Sequence, residues 1–244
     1  MPKTSQLIPN LCARLKNFFA VRNYQKAVVG LSGGLDSAVV AALASEALGP
    51  PNVTGLILPV AKITSAESQQ LAQQLAQQLK IRTAKFELSP VLEACQKFPW
   101  PQNSLAQQNL AARLRMLVLF NFANAQNALV LGTSNRSELL LGYGTKFGDL
   151  AADVEVLGHF WKTQVREIAK DLKIPRGILT RVPTAELAPG QTDATELAAD
   201  YAQIDPILQK ISQGQFQPRK NSLAQKLLVR VQKNRHKTEL IPML

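Results

Sequence analysis

Cysteine, histidine, aromatic residues and acidic charge are all scarce in this chain, and each shortage removes a class of chemistry. The two cysteines, Cys12 and Cys95, lie 83 positions apart (95 − 12), with no CxxC spacing and no histidine nearby. Neither a zinc site nor a disulfide framework is indicated, and both read as small hydrophobes. With 2 histidines in the chain, no Ser-His or Cys-His pairing for covalent catalysis is recognisable. Aromatics make up 6% of the residues, too few for base-stacking platforms. No stretch of about 18 uncharged apolar residues occurs, and the start lacks a basic segment followed by an apolar core and cleavage site. The expectation is a cytoplasmic protein with no membrane and no nucleic-acid partner.

What is abundant is apolar and basic. At 244 residues and 46% hydrophobic, the chain can bury a sizeable core. No repeat or linker divides it, so residues 1–244 are expected to form a single domain, with 1–20 as an N-terminal helix. The 28 Lys+Arg against 17 Asp+Glu give a net charge of +11. Between Pro206 and Thr238 stand eight basic residues and no acidic one. That basic C-terminal segment, 206–244, invites a polyanion, either nucleic acid or a phosphate-bearing small molecule.

Apolar runs alternate with helical patterns, the sign of βαβ units and a parallel sheet. Strands are predicted at Ala27 to Leu31, Val53 to Leu58, 82–88 and Ala128 to Leu131. Helices are predicted at Ser37 to Leu48, after a capping box at Thr64 to Glu67, at about 105–125, at 161–172, near 195–211 and at 221–234. The fold class is α/β: an open, mostly parallel, Rossmann-like sheet with helices on both faces. A Gly-rich loop is expected from "GTSN" to about Gly158.

The stretch "VVGLSGGLDSAVV", Val28 to Val40, breaks a strand and a helix with residues that hold no core. Gly33 and Gly34 permit tight turns and close backbone approach. Ser32, Asp36 and Ser37 offer oxygens at a helix N-terminus, where unpaired N–H groups and the helix dipole attract an anion. The GK[ST] ending of a Walker A loop is missing, and so is a GxGxxG fingerprint. The wording instead resembles the pyrophosphate loop of the ATP pyrophosphatase superfamily, which implies an adenine nucleotide alpha hydrolase-like fold. By that resemblance Gly30, Leu31, Ser32, Gly33 and Gly34 hold ATP phosphates together with Leu35, Asp36 and Ser37, and Asp36 lies beside magnesium.

"GTSNRSELLLGYGTKFGDLAAD", Gly132 to Asp153, begins at a strand end, the favoured ligand edge of such a sheet. This stretch is similar to NAD⁺ synthetase. The likeness continues through "QNLAARLRM" (Gln108 to Met116), "WKTQVREIA" (Trp161 to Ala169), "PTAELAPGQTD" (Pro183 to Asp193), "YAQID" (Tyr201 to Asp205) and "NRHK" (Asn234 to Lys237). It implies that Asp36 and Glu138 ligate Mg²⁺ and that Thr133, Lys162 and Thr184 contact ATP as cosubstrate. Asp36 and Lys162 become the catalytic pair. Arg113, Lys146, Asp153, His236 and Lys237 are implied to hold deamido-NAD⁺. The implied reaction is amidation of deamido-NAD⁺ with ammonia through an NAD-adenylate, releasing pyrophosphate and AMP.

The resemblance further implies a homodimer. The amidase half of the larger, glutamine-dependent enzymes is absent from these 244 residues, so ammonia is free or comes from a separate glutamine amidase. Relatives carry Glu and Gly where this chain has Ala194 and Ala198, and Arg where it has Thr238. Three alternatives share the phosphate loop: a tRNA-modifying enzyme, a GMP synthetase-like pyrophosphatase, and a non-catalytic nucleotide-binding protein.

Overall fold

Short apolar runs too brief for helices supply the strands, and in the computed structural model five of them pair in parallel. They are β1 (Lys26–Gly30), β2 (Val53–Ile57), β3 (Arg82–Lys85), β4 (Ala128–Gly132) and β5 (Val154–Glu155), in the order β3-β2-β1-β4-β5. The structure describes residues 6–95, 97–184, 186, 190–214, 218–239 and 243. β3 is the exposed edge, and its Arg82 and Lys85 suit an edge that must not pair further.

Strand side chains alternate between faces, and two hydrophobic layers follow. Ala27, Val29 and Leu131 point into the larger layer with α1 (Leu7–Val21), α2 (Leu35–Leu48), α3 (Ala66–Leu79), α7 (Lys162–Asp171) and α8 (Arg176–Leu179). Val28, Leu56 and Val130 point the other way, toward α4 (Ser89–Cys95) and α5 (Ser104–Gln126). Burial of a side chain such as Phe19, Leu43 or Leu75 contributes roughly 1.5–3 kcal/mol. α2 is covered on every side from Ser37 to Ser45, which explains its run of alanines and valines. A third cluster joins α6 (Arg136–Leu141), α9 (Asp193–Leu197), α10 (Tyr201–Ser212) and α11 (Leu223–Asn234) through Leu141, Trp161, Ile204, Leu208 and Leu227.

Several local expectations are corrected. The cap of α3 is Ser65, which accepts from the Ser68 N–H, while Thr64 accepts from the Val60 N–H. The box at Thr64 to Glu67 is therefore out of register by one residue. The Gly-rich loop contains α6 and β5, both too short to show a period. The helix near 195–211 is two helices: Ala198 takes the left-handed conformation (φ 59°) and separates α9 from α10. α4 and α8 were not expected. The N-terminal helix begins at Leu7, and residues 1–5 of its expected span lie outside the described residues.

The chain runs outward from β1 through β2 to β3, then returns to place β4 on the other side of β1. The loops after β1 and β4 therefore diverge, leaving a crevice at their C-terminal ends, the favoured ligand position in open α/β sheets.

Candidate active site

The crevice is floored by the turn from β1 into α2. Gly34 is the N-cap of α2 and supplies no side-chain cap to the first N–H groups of the helix, and Leu35, Asp36 and Ser37 of its first turn line the crevice. Gly33 has φ 74°, and a Cβ there would run into the backbone carbonyl of Ser68. The turn is braced by Ser37, whose hydroxyl donates to the Gly34 carbonyl (3.0 Å), and by Ser32, which accepts from the Gly34 N–H (3.2 Å).

The first turn of α2 carries Asp36. Asn135, fully buried, donates from Nδ2 to Asp36 Oδ1 (3.0 Å) and accepts the Glu138 N–H at Oδ1 (3.1 Å). Glu138 reaches back to the Asn135 N–H (3.3 Å), completing a capping box on α6. One residue thus ties together two carboxylates that are 102 positions apart (138 − 36). Lys162, the first residue of α7 and 3% exposed, points its ammonium between them, pairing with Asp36 and with Glu138 at 3.0 Å.

Burial would lower the Lys162 pKa, but Asp36 and Glu138 override it and hold the group above its ordinary value, firmly cationic. Burial pushes Glu138 up to about 7, with Lys162 opposing and Asp36 adding. Asp193, raised by burial, accepts hydrogen bonds from Tyr143 (3.2 Å) and Tyr201 (3.0 Å). The Tyr201 ring also lies 5.3 Å from the Lys162 ammonium.

The two carboxylates that converge on the ammonium are of the chemistry that could hold a hard divalent ion. Such an ion would take one oxygen from each side chain and the rest of its ligands from phosphate and water, as magnesium usually does. Among the described residues no group of three or more His, Cys, Asp or Glu forms a metal cage.

Thr133 and Thr184 line the same crevice. Thr184 donates to the Gln191 carbonyl (2.7 Å), which ties the "PTAEL" segment to the start of α9. Ala185, Leu187 and Ala188 to Pro189 of that loop lie outside the described residues. Arg181 spans the crevice mouth, donating to the Gly33 carbonyl (3.3 Å), to Ser68 (2.5 Å) and to Glu186 (2.6 Å).

Of the five dinucleotide residues expected, four gather in one place. Arg113 donates to the Lys146 carbonyl (3.2 Å), Lys146 to the His236 carbonyl (2.7 Å), and Lys237 to the carbonyls of Gly142 and Gly144 (3.0 Å each). The C-terminal basic run is thereby folded onto the loop after α6. Asp153 accepts the Val130 N–H at 2.7 Å where β4 meets β5. Sequence reasoning missed Asn135, Asp193, Tyr201, Arg181 and the crevice-lining Arg115. For Asn135 an Asn three residues before Glu was a readable capping signal; the others carried none, because their partners are distant in the chain.

A glycine turn at a helix N-terminus, two carboxylates and a buried lysine gather at the switch point of a parallel sheet, where α/β enzymes of this architecture bind their ligands. Comparison with known proteins makes the class specific. The chain matches the NAD synthase family over residues 7–241 and belongs to it, and the family's enzymes are ligases. It is 42% identical over 221 residues to the NH(3)-dependent NAD(+) synthetase of Methanoregula boonei, covering 90% of this chain and 88% of that one. The structure of NMN synthetase from Francisella tularensis superposes with a TM-score of 0.88 at 34% identity, covering 99% of this chain and 98% of that one. NH3-dependent NAD synthetase from Campylobacter jejuni, solved with nitrate, gives 0.83 at 30% identity, with 98% of both chains covered.

Proposed function

We propose that the crevice carries out the ATP-dependent amidation of deamido-NAD⁺ to NAD⁺ with ammonia, in two half-reactions. In the first, the nicotinate carboxylate attacks the α-phosphorus of ATP; a P–O bond forms, the bond to the bridging oxygen breaks, and pyrophosphate leaves. In the second, ammonia attacks the acyl carbon of the NAD-adenylate, the acyl C–O bond breaks, AMP departs, and the nitrogen sheds a proton to give the amide. No side-chain nucleophile is required.

The residues of the chain bind and neutralise. The N–H groups at the start of α2 and the Ser32 and Ser37 hydroxyls cradle the phosphates, with Thr133 and Thr184 beside them. Lys162 is held cationic where negative charge accumulates as pyrophosphate leaves, an electrostatic role of the kind that dominates phosphoryl transfer. Asp36 and Glu138 would hold Mg²⁺, which would supply further charge neutralisation when bound. Arg113, Lys146, His236 and Lys237 are suited to the second pyrophosphate, that of the dinucleotide; Asp153, tied into the sheet, orders the loop beside them. Residues 1–244 act as one unit. Exposed Leu105 and Leu117 on α5 suit burial in a homodimer interface.

The single observation that carries this reading is the convergence of Asp36, Glu138 and Lys162 at the end of the glycine turn. The test is incubation with ATP, magnesium, ammonium and deamido-NAD⁺, following NAD⁺ and AMP. Equal amounts of both are expected. AMP without NAD⁺ points to another pyrophosphatase, and neither product to a binding protein. Two further arms replace the dinucleotide, one with tRNA and one with deamido-NMN, since the Francisella relative is named for making the mononucleotide. A glutamine arm separates free ammonia from delivery by an amidase.

A further inference from the structure

Lys162 owes its place to a carboxylate behind the crevice. Asp205, on α10 and 1% exposed, accepts three hydrogen bonds. Its Oδ1 takes the Ser137 hydroxyl (2.6 Å), and its Oδ2 takes the Thr163 N–H (2.9 Å) and the Thr163 hydroxyl (2.7 Å). Ser137 in turn accepts the Lys162 N–H at 3.0 Å. The N-cap of α7, Trp161, gives no side-chain cap, so the first two N–H groups of that helix are satisfied from other helices, by Ser137 and Asp205. Ser137 adjoins Glu138, and Thr163 adjoins Lys162. A single carboxylate therefore holds the Ser137 hydroxyl beside Glu138 and both the N–H and the hydroxyl of Thr163 beside Lys162.

One turn earlier on the same face of α10, Tyr201 presents its ring to the Lys162 ammonium and its hydroxyl to Asp193. The helix thus reaches Lys162 at its backbone through Asp205 and at its charged end through Tyr201.

We infer that Asp205 is a positioning residue for the adenylation step, setting the Lys162 ammonium against Asp36 and Glu138 through Ser137 and Thr163. The inference rests on the proposed reaction. A carboxylate suits the task because it takes three donors at once and places negative charge at a helix N-terminus. Asn at this position would turn an acceptor of the Ser137 hydroxyl into a donor, forcing that hydroxyl to reorient and loosening the link to Lys162.

The test is pyrophosphate release from ATP with magnesium and deamido-NAD⁺, without ammonium, under single-turnover conditions. It is run on the parent, Asp205→Asn, Lys162→Ala and the double variant, each with a thermal melt. Misplacing a reacting group by about 1 Å costs on the order of 10²-fold, so Asp205→Asn is expected to slow release by about 10- to 100-fold with the ATP KM little changed. In the Lys162→Ala background it should cost nothing further, because the group it positions is gone. A purely structural role would multiply the two losses. Should Asp205→Asn fail to fold, Ser137→Ala cuts the path from Asp205 to the Lys162 N–H while leaving Asp205 on Thr163, and is expected to show a smaller loss with the same non-additivity. Parent-like release by either variant, or losses that multiply, overturns the positioning role. A parent chain that releases no pyrophosphate overturns the reaction itself, and the inference with it.

Discussion

The Lys162 ammonium and the Glu138 carboxylate lie 3.0 Å apart with side chains 4% and 15% exposed, and Asp36 closes on the same nitrogen from α2. An ammonium enclosed by two carboxylates is balanced only within its cluster. Breaking a buried pair by removing one partner is costly because it strands the other charge.

Lys162→Ala and Asp36→Ala are expected to fold while losing about 10²–10³ in the rate of pyrophosphate release, the usual cost of one electrostatic contact to a developing charge. Quench-flow measurement of pyrophosphate from ATP checks this. Near-normal turnover in both variants would contradict the assignment.

Gly33→Ala should abolish productive ATP binding. Its φ of 74° costs an L-residue about 1–2 kcal/mol, and the new Cβ meets the Ser68 carbonyl, so the turn must open. Gly214→Ala is the control: its φ is 76° with nothing within 4 Å. That change should lower the melting temperature slightly and leave the ATP KM alone. Equal ATP kinetics in the two variants would show that the turn does not hold the nucleotide.

Lys237→Ala is expected to raise the KM for the dinucleotide severalfold and leave the ATP KM within about twofold, since a contact from a half-buried charge near the surface is worth about 1 kcal/mol. Asp153→Ala should act chiefly on stability, because it strips the Val130 N–H of its partner, at about 1 kcal/mol. Titration of each substrate against each variant, with melts alongside, separates the two. A selective dinucleotide defect in Asp153→Ala, with unchanged stability, would return that residue to the binding set.

Glu155 gives a pH test. Burial pushes its carboxyl up to about 8 from 4.5, opposed by the Ser134 N–H, and its Oε1 finds no partner among the described residues. The folded chain therefore keeps a proton that the unfolded chain gives up, and stability falls as pH rises from about 4.5 to about 8. Glu155→Gln should remove that slope, so its melting temperature exceeds that of the parent increasingly toward pH 8. A parent-like decline in the variant would assign the slope to other groups.

Strands, long helices and the phosphate turn were legible because their signals are local. Val28 to Val40 states a strand, a bend and a helix within 13 residues (40 − 28 + 1). α6, β5 and α8 were not legible, since two to six residues are fewer than a hydrophobic period needs to declare itself. The division at Ala198 was hidden for another reason: an alanine in the left-handed conformation goes against its own preference, and the surrounding packing holds it there.

By itself the sequence determined the parallel α/β sheet and the glycine turn at the first helix, while the candidate acid, lysine and basic residues came from the family resemblance. Periodicity, backbone permissiveness and charge are properties of neighbouring residues. Only the tertiary structure decided that Asn135 bridges Asp36 to Glu138, that Asp205 bonds Ser137 and Thr163 from another helix, and that Asp153 accepts the Val130 N–H while Lys237 folds back onto Gly142 and Gly144. Those relations join residues separated by up to about a hundred positions, and the distance between such residues is set by how the layers pack.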